Sequence, residues 1–319
     1  MRRLTLILSA LIFVAVSSRG QAADTGSIHL GYPVYSQYLQ NGLMINPAYT
    51  GSRGALSAFL SYRKQWMNMP GSPVIQSVSL HTPLKNDKVA LGLLAQFMQY
   101  GRTRSSSLYA SYAYHIRIGE GKLSFGLRGG FDRAQNDYSG ILLTNLNDPV
   151  FKSNEKPYFL PNVSSGVYYF NNKFFAGLSV PSFLSYKKTS SGDIRLFHNF
   201  SNYDLVFSAG GLISFSDFVK FKPSLLADYS MQNGGKMNQL DLNVNIILGD
   251  FLWIGGSWRT TEQVVVAIAQ VQINPQLMFG LSYDYPAGRM KNFKTGGSTE
   301  VVVRYEFGYK ISASNPRYF

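Results

Sequence analysis

Apolar and polar residues alternate one for one along this chain, in segments of about ten residues or more that recur from near residue 55 almost to the end. That period belongs to a β-strand with one oily and one wet face, not to a helix, whose apolar residues return every three or four. The clearest case is Gln239 to Leu248, where Leu240, Leu242, Val244, Ile246 and Leu248 share a face against Asp241, Asn243 and Asn245. Thr299 to Lys310 repeats it, with Val301, Val303, Tyr305, Phe307 and Tyr309 opposing Glu300, Arg304, Glu306 and Lys310. In Arg102 to Ile118, Leu108, Ala110, Tyr112, Tyr114, Ile116 and Ile118 oppose Ser107, Ser111, His115 and Arg117. In Lys122 to Arg133, Leu123, Phe125, Leu127 and Phe131 oppose Ser124, Arg128 and Asp132.

About fourteen such strands fit, beginning near residues 55, 73, 88, 104, 122, 162, 173, 202, 218, 237, 251, 263, 276 and 298. Their connections alternate in length. After even-numbered strands they are short and rich in turn residues: Lys85 to Asp87, Gly119-Glu120-Gly121, Asn171-Asn172, Ser216-Asp217, Gly249-Asp250 and Asn274-Pro275. After odd-numbered strands several are long: Asn136 to Pro161, Ser182 to Asn199 and Pro286 to Gly297. The links near Gly101 and from Arg259 to Glu262 are short exceptions. An even-stranded transmembrane barrel whose first strand starts in the periplasm predicts this order, with short periplasmic turns and longer external loops. A soluble sandwich or propeller has no reason to sort its loops so.

In a bilayer every backbone N–H and C=O must find a partner between strands, and closure removes the edges. The Leu, Val, Ile and Phe faces then meet lipid, and the Asp, Asn, Ser, Arg and Lys faces line the interior. Tyr62, Trp66, Tyr100, Tyr229, Trp258, Tyr283 and Tyr285 lie near strand ends, where amphipathic rings form interfacial girdles and also pack across strands. The mean hydropathy of −0.06 agrees with alternation rather than continuous hydrophobicity.

The N-terminus, MRRLTLILSALIFVAVSSRGQAAD, has the basic, apolar and small-x-small regions of a secretory signal, with residues 1–22 expected to be removed. With no cysteine in the chain, disulfides, thiolate nucleophiles and thiolate metal sites are excluded. The formal charge of +13 comes from scattered Lys and Arg rather than a run, which points to solvated loops and a polar lumen more than to nucleic acid. The four histidines, His29, His81, His115 and His198, include no pair at i, i+4, and there is no nucleophile elbow, P-loop or dinucleotide fingerprint. No catalytic, cofactor or metal site is expected, and the chain is read as a non-enzyme.

Residues 23–54 precede the first strand and are dense in Tyr, Asn, Gly and Pro. Such a segment is ordered by contact rather than by a core of its own, as a periplasmic lead-in or a plug. Asn46-Pro47 marks a turn, and Gly51 and Gly54 permit tight bends. A barrel over 55–310 and a tail over 311–319 complete the expected organisation.

Tyr35-Ser36-Gln37-Tyr38, Ile45-Asn46-Pro47-Ala48-Tyr49, Gly51, Tyr62-Arg63-Lys64-Gln65-Trp66, Gly71-Ser72-Pro73 and His81-Thr82-Pro83-Leu84 together resemble the start of the PorP/SprF family. Gly297-Ser298 before the last strand and the terminal Pro316-Arg317-Tyr318-Phe319 extend the resemblance over the mature chain. Gly42, Gln40 and Thr50 depart from the Pro, aromatic and Ala expected there. The resemblance implies a fourteen-stranded outer-membrane protein of the type IX secretion and gliding system. Members hold secreted adhesins or cargo with a C-terminal targeting domain at the cell surface, or tie the machinery to periplasmic components through a lipoprotein.

For partner binding, the long loops offer Phe151, Tyr158, Phe159, Leu160, Phe183, Leu184, Leu196 and Phe197 as apolar anchors. Lys152, Lys156, Lys187, Lys188 and Arg195 could steer an acidic partner. The lead-in candidates are Tyr35, Ser36, Gln37, Tyr38, Asn46, Pro47 and Tyr49. The competing reading is a porin or a channel for apolar solutes, whose basic, polar interior would prefer anions. Both termini are expected in the periplasm.

Overall fold

The computed structural model describes residues 27–28, 34–85, 87–137, 157–188, 194–197, 200–232, 235–288, 291–292 and 295–308. Fourteen antiparallel strands close into a barrel: β1 (Leu56–Lys64), β2 (Val74–Pro83), β3 (Val89–Tyr100), β4 (Thr103–Ile118), β5 (Gly121–Asn136), β6 (Tyr158–Phe170), β7 (Phe174–Val180), β8 (Asp204–Gly211), β9 (Val219–Ser230), β10 (Lys236–Leu248), β11 (Leu252–Arg259), β12 (Val264–Gln272), β13 (Leu277–Pro286) and β14 (Ser298–Phe307). Each pairs with its neighbours in sequence, and β14 returns to β1 with Glu300 opposite Arg63 and Arg304 opposite Phe59. The seam removes the last open edge.

Alternation decides which residues face out. On β10, Leu242, Val244 and Ile246 are exposed while Asp241, Asn243 and Asn245 are buried. On β14, Glu300, Arg304 and Glu306 are buried inside, and Phe307 is exposed outside. An oily outer wall and a polar inner one are the inverse of a soluble fold and match a barrel immersed in lipid. Tyr62, Tyr229, Trp258, Tyr283 and Tyr285 are exposed and sit at the ends of odd-numbered strands, so these girdle residues share one rim.

That rim carries the longer connections, and the other carries the tight ones. At the short-turn rim Gly249 and Asp250 both take positive φ, 55° and 59°, which reverses the chain between β10 and β11. The connection between β7 and β8, at the long-loop rim, is not structureless. Ser185–Lys188 and Ile194–Phe197 form an antiparallel hairpin, joined on its other edge by Ser27–Ile28.

One boundary differs from the sequence expectation. Strand β6 starts at Tyr158 rather than near 162, because alternation continues through Pro161, which pairs with Phe131 near the end of β5. Proline is tolerated near a strand's beginning, where a lost N–H matters least.

Candidate functional site: the filled lumen

The barrel interior is occupied by the chain's own segment Tyr35–Arg53, which runs from the long-loop rim to the short-turn rim, where β1 begins. Three single 3-10 turns, Tyr38–Gln40, Gly42–Met44 and Pro47–Tyr49, compact it. Asn46 caps the third turn, its side-chain oxygen accepting from the Ala48 N–H at 2.9 Å, with Pro47 preset at the first helical position. Among described residues of this stretch Tyr35, Ser36, Gln37, Tyr38, Gln40, Asn41, Asn46, Ala48, Tyr49 and Arg53 are all buried.

Near the long-loop rim a charged cluster grips Ser36. Its backbone N–H donates to Glu300 at 2.7 Å, and its hydroxyl donates to Asp284 at 2.7 Å. Arg63 pairs with Asp284 at 2.6 Å and donates to the Ser36 hydroxyl at 3.0 Å. Arg259 pairs with Asp241 at 3.2 Å and reaches Asp284 at 3.4 Å. These partners come from β1, β10, β11, β13 and β14, so one serine is tied to both sides of the seam. Tyr35 accepts from Gln96 and shares a hydrogen bond with Ser77 at 3.3 Å, while Tyr38 accepts from Asn243 at 2.6 Å.

Lower down, contacts pass to the backbone. Gln40 donates to Gln270 at 2.6 Å and accepts from Arg304 at 2.5 Å. The Leu43 carbonyl accepts from Arg128, and those of Ile45 and Ala48 accept from Ser179 and Ser124 at 2.7 and 2.6 Å. Asn46 donates to the Val167 carbonyl at 3.0 Å. A buried backbone without a sheet must satisfy its polar groups this way. Two wall glycines make room: a Cβ at Gly126 would lie 2.1 Å from the Ala48 nitrogen, and one at Gly166 would lie 2.1 Å from Asn46 Oδ1. At the short-turn rim Gly51 N–H donates to His81 Nδ1 at 3.1 Å, His115 meets the Thr50 carbonyl at 2.9 Å, and Arg53 pairs with Glu306 at 2.6 Å. Accepting at Nδ1 fixes His81 as a neutral imidazole whose remaining proton is on Nε2.

Apolar packing fills the rest. Tyr35, Tyr38, Met44 and Ile45 join Phe59, Ile75, Leu94, Val206, Leu226, Met278 and Val302 in one cluster, and Leu43, Ala48 and Tyr49 join Tyr168, Phe175, Ile247 and Trp253 in another. The small gap left beside Tyr38, Gly42, Asn46 and Lys222 has room for about one water. Around Tyr35–Arg53 the described lumen is packed.

Every lead-in candidate, Tyr35, Ser36, Gln37, Tyr38, Asn46, Pro47 and Tyr49, therefore lies inside the barrel rather than beneath it. The partner-binding candidates scatter. Phe151 lies outside the described residues, as do Lys152 and Lys156. Tyr158, Phe159 and Leu160 belong to β6, not to a loop, which corrects the expectation for them. Leu160 is buried in the lumen, and Phe159 is 60% exposed on the outer wall against Phe131, at 5.9 Å between ring centroids. Phe183 packs edge-on to Tyr203 at 5.3 Å, and Leu184 is half-buried beside it in sequence. Lys187, Lys188, Arg195 and Phe197 fall together in the rim hairpin, with Lys187 and Arg195 exposed. The side chains of Lys188 and Phe197 lie outside the description, as do residues 1–26 and 309–319. Sequence reasoning missed Arg63, Arg128, Arg259, Asp284, Glu300 and Arg304 as plug-holding residues. Their facing was legible, since Arg128, Glu300 and Arg304 sit on the wet face of strands, but alternation alone does not tell a plug-holding charge from one that faces water.

Ser27–Ile28 lies at the long-loop rim and Phe307 at the short-turn rim, and both termini lie outside the described residues.

Among solved structures, the chain is similar to the Acinetobacter baumannii outer membrane protein Omp33 at 7% identity, covering 79% of this chain and 96% of that one, with a TM-score of 0.44. It is similar to the monoaromatic hydrocarbon channel CymD at 12% identity, covering 89% and 94%, with a TM-score of 0.49. A third is the Ralstonia pickettii toluene transporter TbuX, at 10% identity over 83% and 92% with a TM-score of 0.47. No functionally curated protein matches in sequence. The model of the family type IX secretion system membrane protein PorP/SprF matches residues 28–305, well over half the chain. With the closed fourteen-stranded barrel around it, that match makes this chain an outer-membrane barrel of the PorP/SprF family of the type IX secretion system.

Proposed function

We propose that this barrel is a non-catalytic docking platform that holds a type IX-secreted surface protein, through that protein's C-terminal targeting domain, at the outer membrane. The short-turn rim faces the periplasm and the long-loop rim the exterior, in keeping with the loop order of outer-membrane barrels. At the periplasmic rim, components of the secretion machinery or a lipoprotein are natural second partners.

The observation that carries the reading is the filled lumen. The segment Tyr35–Arg53 packs inside the barrel and is held there by hydrogen bonds and the Arg53–Glu306 ion pair, which favours the rims over a pore as the working surfaces. The porin alternative needs that segment to move aside, which breaks the buried Arg53–Glu306 pair and parts Ser36 from Asp284 and Glu300.

The test is affinity recovery from solubilised outer membranes beside planar-bilayer recording of the purified protein. A secreted protein recovered stoichiometrically with an electrically silent barrel is the expected result. Steady conductance with no protein partner recovered would replace docking with transport.

A further inference from the structure

We propose that the outer wall of β1–β4, beneath the connection between β1 and β2, binds the phosphorylated head group of a lipid in the leaflet at the long-loop rim. From the reading above this takes only the orientation, which makes that leaflet the outer one; no docked protein is assumed.

Cross-strand register sets Thr299, Lys64, Val74, Gln99, Arg104 and Gln135 opposite one another in turn, from β14 across to β5. This row faces out, because its sequence neighbours Arg63, Ile75, Ser105 and Ala134 are buried inside. Two residues nearer the middle of the wall runs the row Tyr62, Gln76, Phe97, Ser106 and Arg133, and below that Leu60, Val78, Leu108 and Phe131 share the oily band. Tyr62 and Phe97 are exposed there, as girdle residues are. Two residues advance a strand by about 7 Å. The polar zone on each side of a hydrocarbon core of about 30 Å is about 5–7 Å deep. Lys64 and Arg104 therefore stand at head-group depth. On β11–β13 the row at the same strand ends is Trp258, Val265 and Tyr285, so aromatic anchoring there gives way to cations and amides here.

The connection between β1 and β2 overhangs the cationic row. Its backbone is tied to a neighbour on each side: the Met67 N–H donates to the Gly297 carbonyl at 3.0 Å, and the Gly101 N–H to the Gly71 carbonyl at 2.7 Å. The Thr299 hydroxyl donates to the Met67 sulfur at 3.7 Å, which brings Met67 down onto the outer wall. Between overhang and wall lies a cleft of about 460 Å³, lined by Lys64, Val74 and Gln99 from the strands and by Met67, Asn68 and Met69 from the connection. That volume is in the range of small-ligand clefts. Being fixed on both flanks, it is in place before a ligand arrives, which lowers the entropic cost of binding.

Charge and position identify the occupant. Lys64 and Arg104 are three strand spacings apart, about 14 Å, with the Gln99 amide between them. Neither outward row contains a carboxylate; Asp137 lies one step further out, where its N–H donates to the Arg102 carbonyl at 3.0 Å. Lysine and arginine are the side chains that take phosphate oxygens, and the amides of Gln99 and Asn68 suit the hydroxyls of a sugar or glycerol. Directly below, exposed Leu60 and Val78 continue the surface down the wall, where acyl chains lie. A free anion uses the cations and leaves Met67, Met69 and this apolar track without purpose. A phosphorylated lipid uses all of them.

The experiment applies native mass spectrometry to the full chain in detergent, with diphosphoryl lipid A beside the same lipid stripped of its phosphates. The phosphorylated lipid is expected to bind at least about tenfold more tightly. Lys64→Gln and Arg104→Gln are each expected to weaken it about fivefold. Val74→Glu sets a carboxylate beside Lys64 and is expected to abolish the preference for phosphate. Lys236→Gln, at an exposed cation of the same rim on β10, is expected to change nothing. Equal binding of the two lipids, an unaltered Lys64→Gln, Arg104→Gln double variant, or an equal loss in Lys236→Gln would overturn the proposal. Full displacement of the lipid by millimolar inorganic phosphate would make the site one for a free anion and overturn it equally. In a chain without cysteine, Asn68→Cys gives one thiol, expected to react in whole cells with a membrane-impermeant maleimide. Lipid binding without that reaction would overturn the outer-leaflet assignment and the orientation used for docking. Reaction without lipid binding would overturn the lipid site and leave the docking reading intact.

Discussion

Asp284 and Gly126 show how single residues control the occupied interior. The Asp284 carboxylate meets Arg63 at 2.6 Å, Arg259 at 3.4 Å and the Ser36 hydroxyl at 2.7 Å. Removing one member of a buried ion pair leaves its partner's charge uncompensated, so Asp284→Ala is expected to cost about 3–5 kcal/mol, read as a lower urea midpoint in detergent. A loss under ~1 kcal/mol would mean that the cluster is hydrated like a surface pair. At Gly126 the argument is steric. A side chain there collides with the backbone at Ala48. Gly126→Leu should displace the middle of the plug and give conductance steps absent from the wild type; a silent, stably folded Gly126→Leu barrel would show that the seal does not depend on this contact.

Among the elements, the strands were legible and the connections less so. A period of two fixes both the existence and the facing of a strand, and most starts fall within a residue or two of expectation, because a slip of one would turn every apolar side chain inward. Pro161 hid the beginning of β6, since a proline reads as a break although Leu160 and Phe159 still alternate in and out around it. The plug's path was not legible. Tyr35, Ser36 and Asn46 are ordered by residues roughly 40 to 260 positions away, such as Ser77 and Glu300, and no local pattern encodes such partners. The rim hairpin was masked for a similar reason, its two short strands offering too few residues to show alternation. For the connection between β5 and β6, excision of 140–156 leaves every described strand untouched. If the loop anchors the proposed secreted partner, the expected result is a barrel that still shows heat-modifiable migration but no longer retains that partner. Retention at the wild-type level would exclude this loop as an anchor.

For the whole molecule, wall and filling are one cooperative unit. The barrel's inner face carries Arg63, Arg128, Lys222, Arg259 and Arg304, all buried; Arg63 and Arg259 keep wall carboxylates in an empty lumen, but Arg128 loses the Leu43 carbonyl and Arg304 loses the Gln40 side chain, and water enters beside them. Replacing 35–52 by a Gly/Ser linker of equal length should therefore both open an ion path and lower the unfolding midpoint. A replaced chain as stable as the wild type would show that the wall is self-sufficient. Extraction should require detergent throughout, since Leu93, Phe97, Leu127, Leu242 and Ile254 point outward and are exposed.

The grip on Ser36 from β1 on one flank of the seam and from β13 and β14 on the other has a consequence for closure. A cord tied to both ends of a hoop resists the hoop's opening. Seating of Ser36 and closure of β14 onto β1 are therefore expected to reinforce one another, so that loosening either one loosens the other.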